Sequence, residues 1–334
     1  MANPVIGMFL RPFLQRKNAK KLTITTPRGV REEQFVVIGG IEQWVTIRGQ
    51  NKENPVLVIV HGGPASPYTP LNSWLTEWER YFTIVQWDQR GAGKTWSKSG
   101  PPPSLSFQAI TDDGIAVVKY AQKRLGKDKV VLLGSSVGSF IGVMMVHQHP
   151  ELFSAYVGTE QNAPGGIDTS YALTYAATQE KNSKKGLALL SAMSADKSAW
   201  TYKQFLAMNK LSISVTKDSP HMVNDIMLPG LLFAPDYTMS DIQAVQKGME
   251  YSAERLFDEI RNFDFAALGY DFAVPFYVLQ GENDIITPVA SAKAYVERIR
   301  APKKAFVTIA HAGHMAEFCQ PSQFLIELRR VLSE

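Results

Sequence analysis

The spacing of apolar and polar positions predicts a series of short β-strands along the chain. Two stretches with strand character, 35–38 and 42–47, flank Gly39-Gly40, a pattern typical of an antiparallel hairpin. The remaining strands are continuous apolar runs, which a sheet covered on both faces requires. They lie at 56–60, 83–87, 129–133, 155–158, 275–279 and 305–309. A mostly parallel sheet is therefore the expected centre of the fold.

Helical periodicity fills the intervals between these strands. It occurs over 110–125 and 140–147, and again at the end of the chain over 323–332. Strand and helix thus alternate, as in a doubly wound α/β fold. Between 161 and 265 the strand signal disappears, and helical periodicity recurs at 171–178, 186–193, 200–208 and 242–260. We therefore predict a core at 32–160 and 266–334, its sheet flanked by helices, and an inserted helical cap at 161–265 over the carboxyl edge of the sheet, where ligands bind.

The composition is that of an ordinary globular enzyme. Hydrophobic residues occupy 45% of the 334 positions and charged residues 20%. The net charge of +4 comes from basic residues that are mostly interspersed with acidic ones, so we expect no nucleic-acid partner. Cys319 is the only cysteine, which excludes an intrachain disulfide. Since the basic start and small-residue cleavage site of a signal peptide are also missing, we expect a cytoplasmic protein.

The first 31 residues form a basic N-terminal arm without any acidic residue. An apolar run at 5–10 precedes seven basic residues, which are Arg11, Arg16, Lys17, Lys20, Lys21, Arg28 and Arg31. Two interpretations remain open. The arm makes weak contact with a membrane surface through its apolar and charged side chains, or it is a helix that packs on the domain or frays. The apolar run is too short to span a bilayer, which takes about twenty residues.

The most informative motif is GSSVG at 134–138, which matches G-x-S-x-G between a predicted strand and a predicted helix. The two glycines permit a tight turn that holds the central hydroxyl above the sheet. The helix that follows directs its N-terminal amides to the place where an oxyanion would form. We therefore predict that Ser136 is a nucleophile. Ser135 and Ser139 do not occupy the centre of the motif.

A nucleophilic serine needs a base, and the base needs an acid that fixes its tautomer. His314 follows the last predicted strand in a loop with an adjacent glycine, and we favour it over the competitor His311. Asp284 follows the strand before, which gives the chain order Ser, Asp, His expected for this kind of site. Glu160, at the end of the strand that precedes the cap, is the alternative acid. If it is not the acid, it is a candidate contact for a substrate amine.

The loop His61-Gly62-Gly63-Pro64 ends another predicted strand at the same edge. Its glycines let a backbone amide turn toward the nucleophile, so we assign the oxyanion hole to the amides of Gly63 and Val137, and we place Gly62 beside the substrate. We interpret His61 as a residue that stabilises the loop. A second polar pair at a strand end, Asp88 and Arg90, is interpreted as a structural salt link.

No cofactor is implied. The six histidines include no HExxH or comparable spacing, so we expect no metal site. The expected partner is a small molecule or a short peptide that serves as substrate, and nothing in the sequence indicates the oligomeric state.

From about residue 35 onward the chain resembles the proline iminopeptidase branch of the α/β-hydrolases. The matching motifs are HGGPA at 61–65, DQRGAGKT at 88–95, GSSVGS at 134–139, GENDIITP at 281–288 and AGHM at 312–315. The resemblance implies the α/β-hydrolase fold, a Ser136–His314–Asp284 triad and cleavage through an acyl-enzyme. Three positions depart from the family pattern, because Ala65 replaces a glycine, Thr95 a serine and Val137 a tryptophan.

Three functions follow as alternatives. The first is a serine hydrolase of small amides or peptides, an aminopeptidase or amidase like the proline iminopeptidases. The second is a carboxylesterase or lactonase, favoured by the small side chain of Val137 and by a cap rich in large apolar residues such as Met208 and Phe233. The third is a non-catalytic binding protein, against which the complete triad argues.

Overall fold

The computed structural model of the chain describes residues 4–194 and 196–333. Within them, eight strands form one sheet. The strands are β1 (Val30–Ile38), β2 (Ile41–Gly49), β3 (Val56–Val60), β4 (Thr83–Trp87), β5 (Val130–Ser135), β6 (Phe153–Thr159), β7 (Phe276–Gly281) and β8 (Lys304–Ile309). Their order in the sheet is β1-β2-β4-β3-β5-β6-β7-β8.

The sheet is antiparallel at one edge and parallel elsewhere. β1 and β2 form the predicted hairpin, with Ile38 opposite Ile41, and β2 runs antiparallel to β4. All pairs from β4 to β8 are parallel. The carboxyl ends of β3, β5, β6, β7 and β8 therefore lie at one edge, and the loops that carry the predicted site residues meet there. The predicted α/β class with a mostly parallel sheet is confirmed.

Both faces of the sheet are covered, which explains the continuous apolar strands. In β3 all five residues are buried, and they alternate between two cores: Val56, Val58 and Val60 belong to one, Leu57 and Ile59 to the other. Because side chains of a strand point alternately to the two faces, only a strand that is apolar at every position can complete both cores.

Thirteen α-helices lie in the described residues. Those of the core and the N-terminal region are α1 (Pro4–Lys21), α2 (Gly93–Ser99), α3 (Phe107–Leu125), α4 (Val137–Gln148), α11 (Val289–Arg298), α12 (Ala316–Cys319) and α13 (Pro321–Ser333). Helix α3 shows how sequence sets the ends. The Ser106 hydroxyl accepts from the amide of Ala109 at the start, and Gly126 takes a left-handed conformation after the last turn.

The segment between β6 and β7 is helical throughout its regular structure. It contains α5 (Gly166–Glu180), α6 (Lys184–Ser191), α7 (Tyr202–Val215), a π-helix (Met222–Met227), α8 (Leu228–Phe233), α9 (Met239–Arg261) and α10 (Phe265–Leu268). Capping boxes begin α7 at Thr201 and Gln204 and α9 at Thr238 and Asp241. The short helices of the insertion and α2 were not predicted, because segments of four to seven residues are too brief to show a helical period.

The N-terminal arm contains a helix that packs on this insertion. Arg11 donates from Nε to the carbonyl of Leu232 at 3.0 Å and from Nη2 to that of Tyr237 at 2.6 Å. Gln15 donates to the carbonyl of Ala234 at 2.7 Å, and Asn18 to that of Phe233 at 3.0 Å. These side chains satisfy carbonyls at and just beyond the C-terminal end of α8, which the helix itself leaves without partners.

Residues 1–3 of the arm, and the side chains at 4–8 of its apolar run, lie outside the described part of the structure. Across the residues that are described, no helix is both long and apolar enough to cross a membrane.

Candidate active site

Ser136 lies in the sharp turn between β5 and α4. Its backbone has φ 52° and ψ −122°, an unusual conformation for a residue that is not glycine. Such a turn presents the hydroxyl at the carboxyl edge of the sheet, with the first turn of α4 directly after it. The unusual backbone conformation of Ser136 therefore places its hydroxyl at this edge of the sheet.

Two glycines are needed for this turn by close approach. A Cβ at Gly138 would lie 2.1 Å from the carbonyl oxygen of Val60, and a Cβ at Gly62 would lie 2.8 Å from the Cβ of Ser136. Since real contacts of this kind do not fall below about 3 Å, neither position accepts a side chain without backbone movement. Gly62 thus lies close beside the serine, and its contact with substrate stays a prediction.

His314 and Asp284 complete a chain of hydrogen bonds with Ser136. Nε2 of His314 lies 3.0 Å from Oγ of Ser136, and Nδ1 lies 2.9 Å from Oδ2 of Asp284. Oδ1 of Asp284 accepts from the amides of Ile286 and Thr287 at 2.8 and 3.0 Å, and Oδ2 accepts from the Thr287 hydroxyl at 2.7 Å. The structure therefore brings together the three residues predicted as a triad, and it fixes the carboxylate that orients the imidazole.

The electrostatics of His314 are dominated by two carboxyl groups. Burial alone would lower the pKa of the imidazole, but the charge of Asp284, the hydrogen bond to it and the charge of Glu160 together raise the pKa above its usual value. The same charges stabilise the imidazolium that forms when the base takes a proton from serine.

The alternative base, His311, and the alternative acid, Glu160, lie outside this chain of hydrogen bonds. His311 is exposed, its ring takes part in no contact with Ser136 among the described residues, and its amide donates to Glu282. Glu160 is fully buried and does not bond to the imidazole, whose Nδ1 is taken by Asp284. The geometry thus favours His314 as base and Asp284 as its acid.

Glu160 is also not where a substrate amine could reach it directly. Its carboxylate accepts from the hydroxyl of Ser135 at 2.6 Å, from that of Thr159 at 2.7 Å and from the amide of Ala316 at 2.8 Å. These partners occupy both oxygens, and the side chain has no exposed surface. The placement speaks against the predicted amine contact and makes Glu160 a buried acid behind His314, where burial raises its pKa.

Sequence reasoning missed a second buried acid beside it. Glu317 lies 3.0 Å from the hydroxyl of Ser135, which is also 2.7 Å from the hydroxyl of Tyr68. Burial and the charge of Glu160 raise the pKa of Glu317 well above its ordinary value. The only signal in the sequence is an acid in the otherwise apolar stretch Ala316 to Cys319.

The loop after β3 is held by His61, as interpreted from the sequence. The ring is buried, its Nδ1 lies 2.9 Å from the carbonyl of Gly62, and its Nε2 lies 3.2 Å from the amide of Gln89. Burial lowers the pKa of His61 to about 4, so the ring is neutral and bonds with both nitrogens. Gly63 follows Gly62 in this loop, and Val137 directly follows Ser136 as the first residue of α4. Their role as oxyanion hole stays a prediction.

One interpretation from the sequence is wrong. Asp88 and Arg90 do not pair with each other. Arg90 forms a two-pronged salt bridge with Asp113 at 2.6 and 2.7 Å, and Asp88 accepts from Thr69 and Tyr237 at 2.7 and 2.9 Å. Neighbours in the chain at a strand end point in different directions, and only the tertiary structure supplies their partners. Burial raises the pKa of Asp88 to about 6.

Two other kinds of site, a reactive thiol and a metal centre, are not supported by the described residues. Cys319 is buried, and burial raises the pKa of its thiol to about 11, which disfavours the reactive thiolate. In the part of the chain that is described, no cluster of three or more His, Cys, Asp or Glu side chains could hold a metal ion.

Comparisons with known proteins identify the family of the chain. Residues 55–318 match the family model of the alpha/beta hydrolase fold. The chain belongs to the α/β-hydrolase family. Over 299 residues it is 28% identical to the probable aminopeptidase YbaC of Bacillus subtilis (strain 168), and the match covers 88% of this chain and 93% of that one.

Two further matches point the same way. A proline iminopeptidase of Lactobacillus crispatus is 22% identical over 305 residues, covering 88% of this chain and 96% of its own. The crystal structure of a proline iminopeptidase-related protein from Thermus thermophilus superposes with a TM-score of 0.61 at 19% identity, covering 91% of this α/β-hydrolase and 98% of that chain. The resemblance to the proline iminopeptidase branch is confirmed. The superposition with the Thermus thermophilus structure, at 19% identity, shows that the two proteins share a fold.

Proposed function

We propose that this α/β-hydrolase is a serine hydrolase that cleaves small amides or short peptides through an acyl-enzyme. The observation that carries the proposal is the continuous hydrogen-bond chain from Asp284 through His314 to the hydroxyl of Ser136. Each of the three positions has the residue type that nucleophilic acyl transfer requires, and the amides of Ile286 and Thr287 hold the carboxylate of Asp284.

In the proposed reaction Ser136 Oγ attacks the carbonyl carbon while Nε2 of His314 takes the hydroxyl proton. We assign the amides of Gly63 and Val137 to the oxyanion of the tetrahedral intermediate. His314 then gives the proton to the leaving amine, and the acyl-enzyme forms. Water, deprotonated by the same imidazole, releases the acid and restores the serine. Asp284 holds the tautomer throughout.

The matching relatives favour an aminopeptidase as the substrate class. One is named a probable aminopeptidase and the other a proline iminopeptidase, and each aligns over more than four-fifths of this chain.

The first prediction tests the nucleophile on this class of substrate. Ser136→Ala should lower kcat for an aminoacyl anilide at least about ten-thousandfold, because no other group forms the acyl-enzyme. Steady-state and burst kinetics measure this loss.

Ser139→Ala is the matched control. Its hydroxyl accepts from the amide of Asn162 at 3.0 Å and has no part in the proposed chemistry, so its activity should stay within about tenfold of wild type. If Ser136→Ala kept near-normal turnover, or if Ser139→Ala lost as much, the assignment of the nucleophile would be wrong.

An esterase is the second candidate, and the burial of Glu160 favours it. An aminopeptidase needs an anionic group that recognises the free amine, and the group predicted for that role is fully buried and already bonded. An ester substrate needs no such group. A panel of free and N-blocked aminoacyl anilides against short and medium acyl esters separates the two, with Ser136→Ala as background. Preference for the free amine supports the aminopeptidase, and turnover of esters alone supports the esterase.

A further inference from the structure

Helix α1 packs on the insertion through a polar face and leaves an aromatic face exposed to solvent. The side chains that hold it to the insertion are polar, namely Arg11, Gln15 and Asn18, which recur at spacings of four and three residues on one face. On the opposite face Phe9 and Phe13 are 82% and 66% exposed. A helix usually packs through its apolar stripe and leaves its polar stripe in water. Here the arrangement is reversed, and two phenyl rings remain uncovered.

The uncovered face is also strongly basic. Arg16, Lys17 and Lys20 are exposed on the same side of the helix as the two rings, one to three turns further along. None of the three lies within 4 Å of a carboxylate in the described residues, and residues 1–31 contain no acid at all. We call the surface formed by Phe9, Phe13, Arg16, Lys17 and Lys20 the arm face.

We propose that the arm face is a docking surface for an anionic lipid bilayer. Aromatic side chains next to Lys and Arg on one face are what an interfacial helix uses, because the rings enter the headgroup boundary while the cations meet lipid phosphates. The polar face of α1 stays bonded to the insertion, so the whole protein is held to the bilayer through a helix that is already folded.

A second copy of this chain fits the arm face less well. A symmetric dimer through this surface would bring Arg16, Lys17 and Lys20 of both copies into one interface, and residues 1–31 supply no acid to balance them. An anionic surface satisfies the rings and the cations together. Charge complementarity therefore selects the bilayer.

The test uses the full chain with any tag at the C-terminus, sedimented with vesicles of phosphatidylcholine alone or with added phosphatidylglycerol. Wild type should bind the anionic vesicles and not the neutral ones, and binding should weaken as salt rises. Phe9→Ser with Phe13→Ser should lower partitioning at least about tenfold. Lys17→Gln with Lys20→Gln should lower it about fivefold per lysine.

Val37→Ser with Ile326→Ser is the matched control, because these side chains are 73% and 63% exposed but lie on β1 and α13. Its partitioning should equal that of wild type. Hydrolysis of a small soluble substrate without vesicles should be unchanged in all variants, so this test is independent of the proposed function. Three results overturn the proposal: no binding by wild type, equal binding to neutral vesicles, or arm variants that abolish a dimer in gel filtration and leave vesicle binding intact.

Discussion

At the scale of single residues, two buried acids behind the triad, Glu160 and Glu317, share the hydroxyl of Ser135. The hydroxyl of Ser135 has one proton and is close to three oxygens, those of Tyr68, Glu160 and Glu317. It can donate to only one carboxylate, so the contact with the other requires a proton on that acid. Burial raises the pKa of both acids, but His314 and the donors to Glu160 oppose this rise at Glu160, so we assign the proton to Glu317.

The second prediction concerns the charge of Glu160. That charge raises the pKa of His314, so Glu160→Gln should lower it. The base acts only when neutral, and activity is lost as pH falls through its pKa. The acidic limb of the profile of kcat/KM against pH should therefore move to lower pH in the variant.

The matched control is Glu282→Gln. This side chain is exposed on the same loop as Asp284, and solvent screens its charge, so the acidic limb should stay in place. A purely structural role for Glu160 would reduce activity at every pH and leave the limb unmoved. That result would contradict the electrostatic role.

At the scale of elements, the site depends on how closely α4 approaches β3 and the loop after it. Gly138, in the first turn of α4, faces the carbonyl oxygens of Val60 and His61. This contact joins the nucleophile turn to the loop assigned to the oxyanion hole. The helix and the loop are therefore positioned as one unit, and the GSSVG motif is as much a packing requirement as a catalytic one.

The third prediction tests that contact. In Gly138→Ala the new Cβ would lie 2.1 Å from the carbonyl oxygen of Val60, and backbone on both sides must move. We expect the free energy of unfolding to fall by about 1–3 kcal/mol, with a large loss of activity. Urea unfolding and kinetics measure the two effects.

Gly166→Ala is the control, because a Cβ added at this position, at the start of α5, would meet no atom within 4 Å. Its stability should be unchanged or slightly higher, since alanine restricts the unfolded chain. Equal stability of Gly138→Ala and wild type would show that the close approach is not required.

At the scale of the whole molecule, the insertion leaves the sheet directly after Glu160 and returns just before the strand that leads to Asp284. Its helices form a small core of their own around Leu190, Trp200 and Met208, and α9 packs on α2 of the core. The helical segment therefore connects, along the chain, the strand that ends at Glu160 to the strand that leads to Asp284.

The fourth prediction follows from the protonated state of Glu317 in the folded protein. Its pKa is raised well above 4.5, whereas the unfolded chain ionises near that value. As pH rises above about 4.5 the unfolded state is favoured by up to about 1.4 kcal/mol per pH unit. The free energy of unfolding of wild type, relative to that of Glu317→Gln, should therefore fall as the pH rises from 5 to 7.

Urea unfolding of both proteins at these two pH values measures the difference. Glu250→Gln provides the comparison, since Glu250 is exposed on α9, and its stability should follow that of wild type. Parallel curves for wild type and Glu317→Gln would mean that Glu317 is not held in its neutral form.

The sequence by itself determined the layout of strands, the helical insertion and the residues that meet as a triad. Strands buried on both faces must be apolar at every position, and a nucleophile turn must have small residues at fixed spacing, so both leave a local signal in the chain. The hydrogen bonds of Ser136, His314 and Asp284 could be anticipated for this reason.

Only the tertiary structure decided which polar groups become partners. The pairing of Arg90 with Asp113, the burial of Glu160 beside Glu317 and the exposed rings of α1 depend on contacts between distant segments. A carboxylate has the same letter in the sequence whether it faces water or an apolar interior. Its charge, its partners and hence its role are set by the surroundings that folding supplies.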